Sequence, residues 1–228
     1  MHALESCLSE LKSFKVFKGF DLKEILNLCE NASICVSRHH EQIFCSGDEA
    51  HSFGIVLSGA YKLTKPTTEG DDVIVHFAIP GDAIAAMIMA QTNSKYPISA
   101  TALGTSRFLR IPRTQFISHW SSKPELIMNI QSVLAGRMLQ LQDDKLLVIA
   151  PLTKKVASLL LNLLDKSTNQ NDGVLPLPLT RREIAESLGA SVESIIRIMS
   201  DWSKNGLIET NDRQIKIIKV EALIQELG

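Results

Sequence analysis

The chain has 228 residues, a net charge of −1 and 45% hydrophobic side chains. Such a length suits two modest domains, each with enough apolar content for a real core. The balance excludes a strongly basic nucleic-acid binder, and no apolar run reaches the ~18 residues of a membrane-spanning helix.

The opening MHALESCLSELKSF lacks the basic-then-apolar order of an export signal, so a cytoplasmic location without membrane attachment is expected. Cys7, Cys29, Cys35 and Cys45 are then expected to be reduced thiols. Residues 4–30 read as helical, with Leu4, Leu8 and Leu11, then Leu22, Ile25 and Leu26, on apolar faces. Phe17-Lys18-Gly19-Phe20 breaks them. From Ile34 to about Pro112, short β-branched runs recur: IVLSG, YKLTK, VIVHFAI, ISATAL and RFLRI. Turn residues separate them at Ser46-Gly47-Asp48, Gly59, Glu69-Gly70-Asp71 and Pro80-Gly81-Asp82. Short strands at this spacing predict a barrel or jelly roll over residues 1–120.

Pro124 opens a long helix, running to about Ala150 within a segment 121–150. Ile130, Leu134, Arg137, Leu141, Asp144 and Val148 alternate by four and three, a heptad seam. Met128, Leu139 and Leu146 make the opposite side apolar as well. A helix apolar on two sides cannot satisfy both against one small barrel, so the seam predicts a homodimer contact. Pro151 ends this helix and marks a domain boundary. Residues 152–166 form an amphipathic helix, LDKSTNQNDG a polar loop, and GVLPLPL short strand pieces.

The stretch Leu179–Glu209 carries the chemistry. Thr180 and Glu183 have capping-box spacing, Gly189 ends the first helix, and Ser191 caps a second. On that second helix Ile195, Ile198, Met199 and Trp202 share one face; Glu193, Ile196, Arg197 and Ser200 share the other. A carboxylate and a guanidinium one turn apart suit base-edge reading in a major groove, Arg gripping guanine and Glu accepting from cytosine. The alternative is a solvated face with an i, i+4 ion pair. Gly206 stops the helix, and LIETNDRQIKII reads as a hairpin "wing" with its tip at Thr210-Asn211-Asp212-Arg213. Residues 151–228 carry ten basic and ten acidic side chains. Specificity therefore rests on few contacts rather than on bulk charge.

Barrel, long helix and winged helix-turn-helix in that order, with SGDEAHSFGIVLSGAYKL, IPGD and LTRREIAESLGASVESIIRIM, resemble the CRP/FNR superfamily of bacterial transcription regulators. The resemblance covers nearly the whole chain. It implies an α+β chain: an N-terminal double-stranded β-helix (jelly-roll, cyclic-nucleotide-binding-like) sensory barrel in 1–120, a dimerisation helix in 121–150 and a winged helix-turn-helix in 151–228. By analogy the partners are double-stranded DNA, a second copy of the chain, a small-molecule effector that stays unknown, and RNA polymerase. Val192-Glu193-Ser194-Ile195-Ile196-Arg197 resembles the FNR pattern Val-Glu-x-x-Ser-Arg, with Ile196 in place of Ser. Glu193 and Arg197 match the pair that reads a G·C pair in a TGA-containing half-site. Val192 and Ile196 are the neighbouring base-facing positions, where Ile196 can meet a thymine methyl. Thr180, Arg181, Ser191, Ser194, Lys204 and Arg213 are the candidate contacts to the DNA backbone.

The sensory half departs from the cyclic-nucleotide pattern. The positions expected to hold Gly-Glu are Ala85 and Ala86, the expected Arg is Ile98 before Ser99, and the Thr-Ser pair on the long helix is Gln142-Asp143. Without a cation for the phosphate, cyclic AMP is not expected to bind in the family manner. AIAAMIMA reads either as filled core or as the lining of an apolar or planar ligand site. FNR-type iron–sulfur binding needs four convergent thiolates, and the cysteine spacing does not match it. No metal site and no cofactor are evident. A haem- or redox-responsive regulator of the same architecture remains an alternative, with His2, His39, His40, His51, His76 and His119 as haem-ligand candidates. Another is a nucleotide-binding module that regulates a partner protein. No catalytic constellation or phosphate-cradling loop supports an enzyme.

Overall fold

The computed structural model describes residues 4, 6–68, 72–167 and 172–227. The expected turn Glu69-Gly70-Asp71, the haem candidate His2, the middle of the polar loop before Gly173, and the side chain of Asp144 lie outside the described residues. The chain forms two compact units, Met1–Pro66 with Phe77–Leu141, and Thr67–His76 with Gln142–Gly228. The division between these units falls inside the long helix, and residues 67–76 group with the C-terminal unit.

Two short helices, α1 (Leu8–Ser13) and α2 (Leu22–Leu28), precede eight strands, of which the fifth lies largely within residues 67–76. These are β1 (Ser33–Ser37), β2 (Gln42–Phe44), β3 (Ser52–Ser58), β4 (Tyr61–Pro66), β5 (Asp72–Ala78), β6 (Ala83–Ile84), β7 (Ser99–Ala102) and β8 (Ser106–Pro112). They make two four-stranded sheets of order β1-β8-β3-β6 and β2-β7-β4-β5, the jelly roll expected from the runs. β3 is buried from Ser52 to Leu57 because β8 and β6 flank it and core packs on its inner face. That explains why its sequence is continuously apolar rather than alternating. Gly54 is fixed by crowding: a Cβ there would lie 2.0 Å from the Leu109 carbonyl oxygen. Phe44, Leu63, Ala100, Phe53, Ile55 and Phe108 from both sheets share one core. Trp120 packs edge-on to Phe53 at 4.8 Å, and its indole N–H donates to the Leu28 carbonyl at 2.8 Å. This pins α2 to the barrel while meeting the one polar atom of a fully buried ring.

The long helix α3 (Pro124–Leu146) continues as a 3-10 turn at Leu147–Ile149. Its contact stripe changes role along its length. Leu126 and Ile130 are buried in the barrel core, Val133 and Leu134 pack against that core, and Arg137 pairs with Asp82 of the barrel at 3.4 Å. Ile130, Leu134 and Arg137 of the expected seam thus pack on their own barrel. Beyond the barrel the same stripe, Leu141 and Val148, is exposed. So is the opposite face, with Met128, Leu139 at 62% and Leu146 at 77% exposure. Periodicity identified two apolar faces but could not say which one the barrel would claim.

The second unit begins its helices with α4 (Leu152–Asp165), which buries Val156, Ala157, Leu160, Leu163 and Leu164. Then come α5 (Arg181–Leu188), α6 (Val192–Lys204), the hairpin β9 (Ile208–Asn211) and β10 (Gln214–Ile217), and α7 (Val220–Gln225). GVLPLPL forms no regular strand. It runs along β10 through the Leu175 N–H to Ile215 and the Leu179 N–H to Arg213, with one bridge at Val174–Lys216. Pro176 and Pro178 remove the donors a full ladder would need.

Candidate nucleic-acid interface

The site is built by two caps and a turn. The Thr180 hydroxyl oxygen accepts the Glu183 N–H at 3.1 Å, and the Glu183 carboxylate accepts the Thr180 N–H at 2.8 Å. This closes the capping box and explains why Glu183 can be buried. A cap of this kind is worth about 1 kcal/mol. Gly189 ends α5 with φ 60° and ψ 40°, a left-handed conformation that costs other residues ~1–2 kcal/mol. Ser191 then caps α6 by accepting the Ser194 N–H at 3.2 Å. The side chain of Ser191 also donates to the Ser194 hydroxyl at 2.9 Å.

α6 is anchored from below. Ile195, Ile198, Met199 and Trp202 are buried, each contributing about 1.5–3 kcal/mol by its apolar burial. The register this imposes leaves Glu193, Ile196, Arg197 and Ser200 exposed and Val192 half-buried. Ile196 exposes 48% of its surface. Neither Glu193 nor Arg197 forms an ion pair or hydrogen bond with another described residue. The i, i+4 pair that would have made this an ordinary solvated face is therefore not formed, and a carboxylate and a guanidinium are both free on one edge.

The backbone candidates divide. Ser191 and Ser194 serve the cap. Lys204 and Arg213 are exposed, Lys204 on the last turn of α6 and Arg213 at the hairpin tip. The tip is a two-residue turn with positive φ at Asp212 (42°) and Arg213 (70°), the twist that matches a hairpin. Arg181 is half-buried and its Nη2 donates to the Thr210 hydroxyl at 3.0 Å. Burial holds its guanidinium below the ordinary value. It therefore ties the start of α5 to the wing, a role that the sequence pattern did not signal. Arg182 pairs with Glu186 at 2.8 Å one turn on.

In the barrel, AIAAMIMA is mostly packed, with Met87 and Ala90 exposed. Ala86 and Met89 are buried, and Ala85, Ile88 and Ile98 pack against the core. Ala85 has φ 66° and ψ 5°, a left-handed backbone that glycine adopts more readily than alanine. An open cleft of about 480 Å³ lies elsewhere, lined by Phe44, Cys45, Asp48, His51, Tyr96 and Arg110 among others. His39 and His40 stack at 3.7 Å, His51 meets Glu49 at 3.3 Å, and His119 bonds Ser118 at 2.6 Å. Among the described residues no His, Cys, Asp or Glu cluster is arranged to hold a metal ion. Cys7 and Cys29 are buried, whereas Cys45 is exposed. Burial pushes the Cys29 thiol up to about 12 and raises that of Cys7 as well. Burial thus disfavours the thiolate, the reactive form, at both positions.

Comparison with known proteins agrees with this geometry. Residues 154–226 match a Crp-like helix-turn-helix domain, and residues 36–122 match a cyclic nucleotide-binding domain. The chain is 31% identical to electron transport regulator A of Shewanella oneidensis over 182 residues, 78% of this chain and 72% of that one. It is 27% identical to the fumarate and nitrate reduction regulatory protein of Yersinia pestis over 233 residues, 100% of this chain and 91% of that one. Among solved structures, FixK2 from Bradyrhizobium japonicum superposes with a TM-score of 0.73 at 21% identity, covering 86% of this chain and 98% of that one.

Proposed function

The chain belongs to the CRP/FNR superfamily of transcription regulators, in its FNR-like branch, and from that premise we propose how it reads DNA. Two copies bind a near-palindromic site with TGA-containing half-sites, one α6 in each major groove about one helical turn (~34 Å) apart. Arg197 grips the guanine and Glu193 accepts from the paired cytosine. Ile196 lies against a thymine methyl, and Val192 borders the same bases. Thr180, Ser191, Ser194, Lys204 and Arg213 contact the sugar–phosphate backbone, with the wing held by Arg181. The observation that carries this reading is the pairing state of α6: Glu193 and Arg197 are exposed without a partner on a helix whose other face is locked by four buried side chains.

The second copy docks on the exposed apolar residues of α3, namely Met128, Leu139 and Leu146, with Leu141 and Val148 beyond the barrel. RNA polymerase is the further partner in a cytoplasmic regulator of this kind. The family is one of regulators rather than enzymes.

Cyclic AMP does not fit the barrel. The position that would meet the ribose is the buried methyl of Ala86, and the position that would neutralise the phosphate is Ile98. A phosphate placed there would lose its hydration without gaining a donor.

Selection of binding sites from random DNA tests the assignment. Wild-type protein should enrich a TGA-containing palindrome. Arg197→Ala should lose preference at the guanine, at a cost of about 1–3 kcal/mol. Enrichment of the same motif by both proteins would remove the contact.

A further inference from the structure

Asp82 ends the Pro80-Gly81-Asp82 turn and is held there from three sides. Its Oδ2 accepts the Ile79 N–H at 3.0 Å, its carbonyl accepts the Val56 N–H at 3.0 Å, and its own N–H donates to the Ile79 carbonyl at 2.9 Å. Across from it, the barrel-facing stripe of α3 delivers Arg137, whose Nη2 stands 3.4 Å from Asp82 Oδ1. That distance makes an ion pair but lies beyond a good N–H···O bond. The Nε and Nη2 atoms of Arg137 are buried and have no hydrogen-bond acceptor among the described residues. Those two nitrogens form one edge of the guanidinium, the fork that grips a carboxylate or phosphate through two parallel bonds. Buried charged donors without acceptors are destabilising. Asp82 cannot fill both positions, because rotating its carboxylate would break the bond to Ile79.

We propose that the Arg137 edge beside the Pro80-Gly81-Asp82 turn is a binding site for a small oxyanion, the carboxylate or phosphate group of a soluble metabolite. One oxygen takes Nε and a second shares Nη2, displacing the weak Asp82 contact. The two donor nitrogens are themselves covered, while 22% of the Arg137 side chain is open to solvent, so the anion enters as the Asp82 contact gives way. The anion bridges barrel and long helix, since Asp82 belongs to the first and Arg137 to the second. It binds weakly in the wild type because the Asp82 charge opposes it. This site is separate from the Ala86 and Ile98 positions and does not depend on how α6 reads DNA.

Thermal unfolding of the full chain, titrated with inorganic phosphate and separately with succinate, is compared with sodium chloride at matched ionic strength. Stabilisation by phosphate alone assigns a phosphate ligand, by succinate alone a carboxylate, and either supports the site. Asp82→Asn keeps an acceptor for the Ile79 N–H and removes the opposing charge, so the apparent affinity should rise roughly tenfold. Arg137→Lys keeps the charge but loses the fork, so affinity should fall by about as much. Overturning results are equal titrations in wild type and Arg137→Lys, or no specific stabilisation in either wild type or Asp82→Asn.

Discussion

Ala85 holds a left-handed conformation at φ 66° without being glycine. Such a backbone costs an alanine ~1–2 kcal/mol, offset in part by the lower chain entropy of alanine in the unfolded state. Ala85→Gly should therefore leave the fold intact and change stability by no more than about 1 kcal/mol, in the stabilising direction. Thermal unfolding of the pair checks this. A marked loss of stability would mean that the Ala85 methyl contributes more to the core than its strain costs. At this scale the sequence was a good guide. The capping pair Thr180 and Glu183, the Gly189 stop and the two faces of α6 follow from spacing alone, because each is set by neighbours within one or two turns. Arg181 was not legible as a wing tether, and Arg137 was not legible as a barrel contact. Their partners, Thr210 and Asp82, are distant in sequence and meet them only in the folded unit.

Among elements, α3 departs most from its sequence reading. Its apolar stripe is shared: the barrel covers it through Arg137, and Leu141 and Val148 carry it on into solvent. The jelly-roll strands were legible where turn residues bracket β-branched runs, as in β3, β4, β5 and β8. β2 and β6 are three and two residues long, too short to show a period. If the exposed face of α3 is the homodimer surface, Leu139→Glu should dissociate the chain, since a charge would have to be desolvated at the interface. Sedimentation should then give the monomer mass with the circular dichroism spectrum unchanged. An unaltered mass would place the interface elsewhere.

For the whole molecule, the balanced charge and the packed barrel point the same way. With ten basic and ten acidic side chains in residues 151–228, bulk charge adds little non-specific affinity to the proposed base contacts. Assembly of two copies then has to supply the missing free energy by linking two half-sites. Ala86 is buried and Ile98 packs against the core, where the proposed reading gives cyclic AMP no handle on that assembly. Saturating cyclic AMP should shift neither the melting temperature nor the affinity for the selected palindrome. A tenfold gain in affinity, worth about 1.4 kcal/mol, would show that the nucleotide enters by other contacts.

The pairing of β1 with β8, Ser33 opposite Arg110, has a kinetic side. The first strand of the barrel waits for the last before its sheet can form, so closure carries the entropy of a long loop. In α5–α6 and the β9–β10 hairpin, each element meets its neighbour in sequence, and that region should fold quickly once made. During synthesis the barrel strands leave the ribosome early yet stay open-edged until Pro112 has emerged. The time spent in that state, more than the final stability, is where the nascent chain is most exposed to aggregation and to chaperones.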